Sequence, residues 1–330
     1  MTIGSPARKV LWARSGNLCA FLECNQLLTY NLHDEESRTL EESGIPLGEE
    51  AHIISGSPDG PRYDPNYPNG KVDDYENLIL LCPTHHRIID KKGGAGFSSE
   101  TLREMKRTHE VAQAAKKSPS DLRREEIELR TLAMVENWVD RAALSRWGNL
   151  TYRLNQPVVS LKESWVNALY EQGEWLMMRN WPDFFPGLKS AFANYQCVLR
   201  DLVNHIRSSM EYRHNSEDRL EFPRPWQRGW LPQEKYDKAR KEFEFSQDML
   251  YELSWELTKA ANYVCDLVRT ELDPLFRFEE GALPYRIGDG LIVDNLSREE
   301  YSYEERNRQQ PYEGLSVVKE RVRAQGGASR

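Results

Sequence analysis

Cys82-Pro-Thr-His85-His86, with Asp90 four residues after the second histidine, is the densest group of metal-ligating side chains in the sequence. Upstream lie Cys19 and Cys24, a lone His52, and Asn77 within Glu-Asn-Leu. Cys19, Cys24, Cys82 and His85 offer three thiolates and an imidazole, the number and kind of donor that structural zinc takes in a tetrahedron. They come as two close pairs far apart in the chain. A small segment interrupted by a long loop has little core of its own, and a bound ion can hold its two halves together.

A second set lies beside the first. Neighbouring residues on a helix diverge by roughly 100°, so a His85 that faces zinc turns His86 elsewhere. His86 and Asp90 are four apart and share a helix face, where together they can hold one divalent cation, Mg2+ or another. His52 comes from a preceding strand and is expected across from that helix. A neutral imidazole there can take a proton from water for in-line attack on phosphorus. The cation would stabilise the charge that develops on the 3′-oxygen leaving group. Asn77 either fixes the loop that positions His52 or ligates the metal. Each residue also has a plainer reading: His52 as a hydrogen-bonded structural residue, Asn77 as a turn cap, Asp90 as the partner of Arg87 or Lys91. Together the two sets point to metal-dependent hydrolysis of nucleic acid.

The elements that must position these residues can be read from local pattern. Residues 6–15 read as a helix closed by Ser15-Gly16-Asn17, and residues 31–50 as a polar, acidic surface insertion. Ala51-His52-Ile53-Ile54 is a short strand. Residues 55–74, rich in Gly and Pro, form a loop longer than most connections. Leu78–Leu81 is a buried strand, Pro83 opens the element that carries His85 to Asp90, and Gly93–Gly96 breaks it. Ser98 caps a helix that runs to about residue 117. Lys116-Lys-Ser-Pro-Ser120 reads as a linker, so residues 1–117 form one domain.

Beyond it the pattern is helical. A helix runs from about Asp121 to Trp147, and Ser160-x-x-Glu163 reads as a capping box. Leu188, Phe192, Tyr195, Leu199, Leu202 and Ile206 alternate spacings of four and three. The same alternation runs from Tyr236 to Leu267 and predicts a helix packed along its whole length on a partner, a rod of roughly 60 Å. Residues 118–297 are therefore expected to be a bundle of long antiparallel helices for oligomerisation, sensing or partner binding. Residues 298–330 read as a polar, mobile tail. The tryptophans at 138, 147, 165, 175, 181, 226, 230 and 255 read mainly as core. The expected fold class is α+β: a small zinc-stapled domain followed by a mostly α-helical bundle.

Composition sets limits. The chain has 330 residues, 29% of them charged, and a net charge of −8. Mean hydropathy is −0.72, and no run approaches the ~18 apolar residues of a membrane span. The N-terminus lacks the apolar core of a secretory signal, so a cytoplasmic location without membrane attachment is expected. Five cysteines at irregular distances suit metal binding better than a disulfide framework; Cys197 and Cys265 read as buried thiols. An acidic balance argues against unspecific coating of DNA. It permits binding through a local patch, for which Arg87, Lys91, Lys92, Arg103, Lys106 and Arg107 are the candidates, a set that reads equally well as a solvated helix face.

The order Cys-x4-Cys, Ala-His-Ile, Glu-Asn-Leu-Ile-Leu-Leu-Cys and His-His-x3-Asp resembles the HNH endonuclease family. The resemblance covers roughly residues 6–115. It implies a ββα-metal finger that nicks or cuts DNA, in which His52 is the general base, Asn77 orders the site and His86 holds the catalytic metal, with Cys19, Cys24, Cys82 and His85 on a structural zinc. Ala51 departs from it, since many members carry an acidic metal ligand there. Asp90 is the candidate to compensate, with Glu49 and Glu50 less favourably placed. His-Ile-Ile-Ser-Gly-Ser-Pro-Asp-Gly-Pro-Arg more narrowly resembles nuclease halves of bacterial antiphage effectors. Their mixed α/β sensor domains have no counterpart in the helical residues 121–295. Two further readings keep the fold: a zinc-stapled, non-catalytic adaptor for nucleic acid or protein, and a nuclease directed at RNA.

Overall fold

The computed structural model describes residues 3–31, 44–213, 216, 218–288 and 294–328. The chain divides into two compact units, Met1–Glu136 and Asn137–Arg330. The N-terminal unit holds α1 (Ser5–Ser15), β1 (Thr29–Asn31), β2 (Gly44–Pro46), β3 (Glu49–His52), β4 (Leu78–Leu81), α2 (Pro83–Asp90), α3 (Ser99–Ala114) and the larger part of α4 (Pro119–Arg141). The division falls inside α4, whereas the sequence suggests a boundary at 117. The reason lies in the first turns of α4: Glu125 pairs with Lys117 at 2.6 Å and Glu128 with Lys9 at 3.4 Å. Most of the expected acidic insertion, residues 32–43, lies outside the described residues.

β3 and β4 form an antiparallel pair in which Glu49 faces Leu81 and His52 faces Leu78. Leu78, Ile79, Leu80 and Leu81 are all fully buried, because α1, α2 and α3 all pack against this strand. A continuous apolar run is what such a strand needs, and each of these side chains contributes about 1.5–3 kcal/mol by leaving water. α2 follows at once. Cys82 is its N-cap and Pro83 its first residue, where a missing N–H costs nothing. Ser98 caps α3, as its sequence suggests, by accepting from the Thr101 N–H at 3.2 Å.

The C-terminal unit contains α5 (Trp147–Leu154), β5 (Ser160–Lys162), α6 (Glu163–Met177), α7 (Pro186–Ser209), β6 (Glu211–Tyr212), β7 (Arg219–Glu221), α8 (Gln233–Glu271), β8 (Pro284–Gly288), β9 (Asp294–Arg298), α9 (Tyr303–Arg306) and α10 (Leu315–Ala328). α7 and α8 are antiparallel. The Gly187 and Leu188 N–H groups at the start of α7 donate to Glu271 at the end of α8 (3.1 and 2.9 Å), and His205 near the end of α7 donates to the Ser246 carbonyl at 2.7 Å. The 39-residue α8 spans ~58 Å at ~1.5 Å per residue.

Three expectations need correction. α8 is not buried on a partner helix along its whole length: burial begins at Met249, and Phe243 and Tyr236 meet Trp226, in the segment just before α8, edge-on instead. Ser160 caps nothing, because β5 pairs with β7 and the helix begins at Glu163. The polar segment after 298 is packed, since Tyr301, Tyr312, Val318 and Val322 are buried. Tyr312 donates to Asp201 at 3.0 Å and its N–H to Asn194 at 2.8 Å. A polar average hid four well-spaced apolar anchors. Among the tryptophans, 138 and 147 are core and 230 is 87% exposed.

Candidate metal centre and active site

The segment Leu18–Leu27 is a tight hairpin closed by a bridge between its ends. Cys19 N–H donates to the Gln26 carbonyl and Ala20 N–H to that of Leu80 on β4 (3.0 and 2.9 Å). Glu23 and Asn25 adopt left-handed backbone conformations that turn Cys24 back toward Cys19. Opposite, Cys82 and His85 lie at the start of α2, one helical turn apart. The Cys82 N–H donates to Cys19 Sγ at 3.3 Å, and His85 Nδ1 lies 3.1 Å from Cys82 Sγ and 3.6 Å from Cys19 Sγ. The His85 ring stacks on Phe21, centroids 4.0 Å apart.

The donor atoms of Cys19, Cys24, Cys82 and His85 all lie within 4.8 Å of one another. Three sulfurs and an imidazole nitrogen that close are the donor set for tetrahedral zinc, so the cluster can hold that ion. Burial pushes the Cys19 thiol up to about 12, a cost that a bound dication offsets as the proton leaves.

His86 points away from this cluster, as its position on α2 dictates. Its ring sits between two carboxylates: Nδ1 is 2.7 Å from Glu49 Oε2 on β3, and Nε2 is 3.2 Å from Asp90 Oδ2. A carboxylate only accepts, so Nδ1 donates to Glu49. Nε2 and the Asp90 oxygen are then two lone-pair donors side by side, an arrangement that a proton or a cation bridges. The pair therefore fits a divalent ion. Asp90 pairs with neither Arg87 nor Lys91; its Oδ1 accepts from Arg62 Nη2 at 2.6 Å.

Arg62 closes the His52–Arg62 stretch, yet the sequence alone gives it no role. Its side chain is 7% exposed. Besides Asp90, it donates to the carbonyls of Ile53 (2.7 Å), Ile89 (2.8 Å) and His52 (3.2 Å). One guanidinium thus ties the end of β3 to the end of α2. Gly94 makes room for it: its φ is +82°, and a Cβ there would stand 2.5 Å from Arg62 Nη1.

His52, last residue of β3, is engaged through Nε2 by Asp73 Oδ1 at 2.9 Å. Asp73 comes from the far end of the long loop. Asn77 is fully buried and stitches that loop shut. Its Oδ1 accepts from Ile54 N–H at 3.0 Å, and its Nδ2 donates to the carbonyls of Ile54 and Val72, both at 2.9 Å. Of its two expected roles, this geometry performs loop fixation. Lys106, an expected patch residue, is buried and donates to the carbonyl of Tyr75, two residues before Asn77; burial pushes its ammonium down to about 8. Arg103 and Arg107 pair with Glu100 and Glu104, and Arg87, Lys91 and Lys92 form no ion pair among the described residues.

Glu49 and Glu50 diverge because strand side chains alternate. Glu49 reaches His86, while Glu50 takes Arg8 Nε at 2.7 Å and Trp12 Nε1 at 2.9 Å from α1. The residue judged less favourably placed from sequence is in contact with the site.

Residues 25–92 match the family model described as an HNH endonuclease. The N-terminal unit carries an HNH endonuclease domain. The matched stretch includes His52, Asn77, Cys82, His85, His86 and Asp90, and leaves out Cys19 and Cys24, so half of the cluster that could hold a metal lies outside it. No curated protein matches the chain. Among the described residues no helix is long and apolar enough to cross a membrane.

Proposed function

We propose that this protein is a metal-dependent endonuclease that hydrolyses DNA phosphodiester bonds. His52 is its general base, His86 and Asp90 hold the divalent ion, and Cys19, Cys24, Cys82 and His85 hold a structural zinc. The observation that carries the reading is His86 Nε2 beside Asp90 Oδ2 at 3.2 Å, with Asp90 joined to the His52 carbonyl through Arg62 Nη2.

When bound, a divalent cation such as Mg2+ supplies positive charge to the phosphate and the leaving oxygen. The rest falls to the chain itself. Because Asp73 takes the His52 Nε2–H, Nδ1 is left as the acceptor that removes a proton from the attacking water. Arg62 fixes the separation of β3 from the end of α2. Arg87, Lys91 and Lys92, exposed around α2, are the cations available for backbone phosphates. The likeness of the His52–Arg62 stretch to antiphage effector nucleases supports a role in cytoplasmic defence, with the helical unit controlling or assembling the nuclease.

The test is cleavage of supercoiled plasmid in Mg2+, Mn2+ or Ni2+. The native chain should nick it, and His52→Ala should lose ~10²–10⁴-fold in rate while keeping its zinc and its fold. Equal nicking by both proteins rejects the reading. A second reading, a zinc-stapled adaptor, is favoured by Ala51, which is fully buried and brings no donor. It predicts one tightly held zinc, no second divalent site and no cleavage of DNA or RNA.

A further inference from the structure

Each of the three proposed site side chains has its own holding partner from outside the set. Glu49 Oε2 accepts from His86 Nδ1 at 2.7 Å, Asp73 Oδ1 from His52 Nε2 at 2.9 Å, and Asp90 Oδ1 from Arg62 at 2.6 Å. We infer that Glu49 and Asp73 are positioning residues with separate tasks: Glu49 sets the grip of His86 on the divalent ion, and Asp73 aims His52 at the water. This inference rests on the hydrolytic reading above.

Glu49 acts through tautomer and angle. An imidazole that donates from Nδ1 carries its lone pair on Nε2, the nitrogen facing Asp90, and a carboxylate acceptor raises the donor strength of that lone pair. Glu49 sits on β3 and His86 on α2, so the hydrogen bond also fixes the ring against rotation about its own helix. The Glu49 side chain is 43% exposed. No packing requirement explains an acid at this place, directed back onto a ring.

Asp73 does the corresponding thing for the base. A carboxylate on Nε2 dictates that Nδ1 is the basic nitrogen and stabilises the imidazolium formed when the proton arrives, the arrangement that makes a histidine an effective base. Asp73 reaches His52 only because Asn77 closes the loop on Val72 and Ile54. Both carboxylates touch protein groups and neither is assigned a contact with substrate, so they are positioning residues in the strict sense.

The two tasks separate in measurement. Mn2+ binding is followed by the loss of the free-ion electron paramagnetic resonance signal, and single-turnover plasmid nicking is measured at saturating Mn2+, with the full chain throughout. Glu49→Ala should need ~10–100-fold more Mn2+ for half occupancy, with Glu49→Gln partly restoring affinity because its amide oxygen accepts the same N–H. Asp73→Ala should bind Mn2+ like the native chain yet nick ~10–100-fold more slowly at saturation, with Asp73→Asn recovering part of the rate. Native Mn2+ affinity in Glu49→Ala, native nicking in Asp73→Ala, or the same parallel loss of both properties in both variants would overturn the inference. His52→Ala is the control that keeps the two readings apart. If it nicks like the native chain, the hydrolytic reading has failed. If it is inactive while the Glu49 and Asp73 variants behave natively, that reading stands and the division of tasks falls.

Discussion

Arg62 in the N-terminal unit and Lys259 in the C-terminal unit are both cations held out of water, with opposite surroundings. Lys259 is 1% exposed, 3.1 Å from Glu256 and 2.8 Å from Glu305, with the Trp255 and Tyr301 rings 3.9 and 4.7 Å from its ammonium. Charge and rings close on the lysine from all of these directions, and the result ties α9 to α8. Arg62 instead spends three of its hydrogen bonds on neutral carbonyls and one on Asp90, a carboxylate with its other oxygen turned to a half-exposed imidazole. The first network runs on through Glu256 to Arg321 at 3.0 Å and joins helix to helix, and the second ends beside groups that can bind an ion. Burying a charge costs free energy in either place. On the proposed reading, it is the N-terminal unit whose buried cation supports the reacting groups.

The largest expected effect separates the two units outright. Stripping zinc from the cysteine cluster with a chelator should remove a binding energy of about 10–16 kcal/mol from the N-terminal unit, and Cys82→Ser a part of it. Hydrogen exchange should then show protection lost across β3, β4 and α2 and kept in α7 and α8. Equal loss in both would break the contrast.

Next come the two cations themselves. Arg62→Ala leaves Asp90 and three carbonyls without their donor and should destabilise the N-terminal unit by about 3–5 kcal/mol, seen as a lower urea midpoint, with Mn2+ binding lost alongside. Lys259→Met leaves Glu256, also paired with Arg321 at 3.0 Å, short of a buried partner. A loss of the same order, about 3–5 kcal/mol, is expected with Mn2+ affinity and nicking intact. A nicking defect in Lys259→Met would show that the two networks are not distinct in function.

A smaller effect is expected at Gly94. Its positive φ and the nearby Arg62 guanidinium give Gly94→Ala a cost of about 1–3 kcal/mol, with weakened Mn2+ binding as Arg62 is displaced. The smallest is Arg87→Ala, which should leave stability unchanged and reduce the salt dependence of DNA binding by about one phosphate contact.

The sequence revealed the donors better than their holders. Cys19, Cys24, Cys82 and His85 announce themselves by chemistry and close pairing, and the i, i+4 relation of His86 and Asp90 follows from helix geometry alone. The α7 stripe is equally plain, and so is that of α8 from Leu250 onward. Glu49 reads as less favourably placed because the acid expected of the family stands directly before the base, at position 51; counting strand faces by two puts Glu49 on the same face as buried Ala51, the side that α2 covers. Asp73 left no comparable signal, and Arg62 shows only as the last residue of the His52–Arg62 stretch, with no role attached. Both belong to the loop between β3 and β4, where contacts depend on how Asn77 and Gly94 fold the chain back, and no local period encodes that. The packed C-terminal segment escaped for another reason: Tyr301, Tyr312, Val318 and Val322 are too few among charged residues to mark a core by composition.

Anomalous diffraction from crystals of the full chain soaked in Mn2+ tests the proposed ion site most directly. A manganese peak bonded to His86 Nε2 and Asp90 Oδ2, with His52 close by but not a ligand and Glu49 still on Nδ1, is the result expected. Manganese bound elsewhere, or coordinated by His52 itself, would contradict the assignment of base and ion ligands.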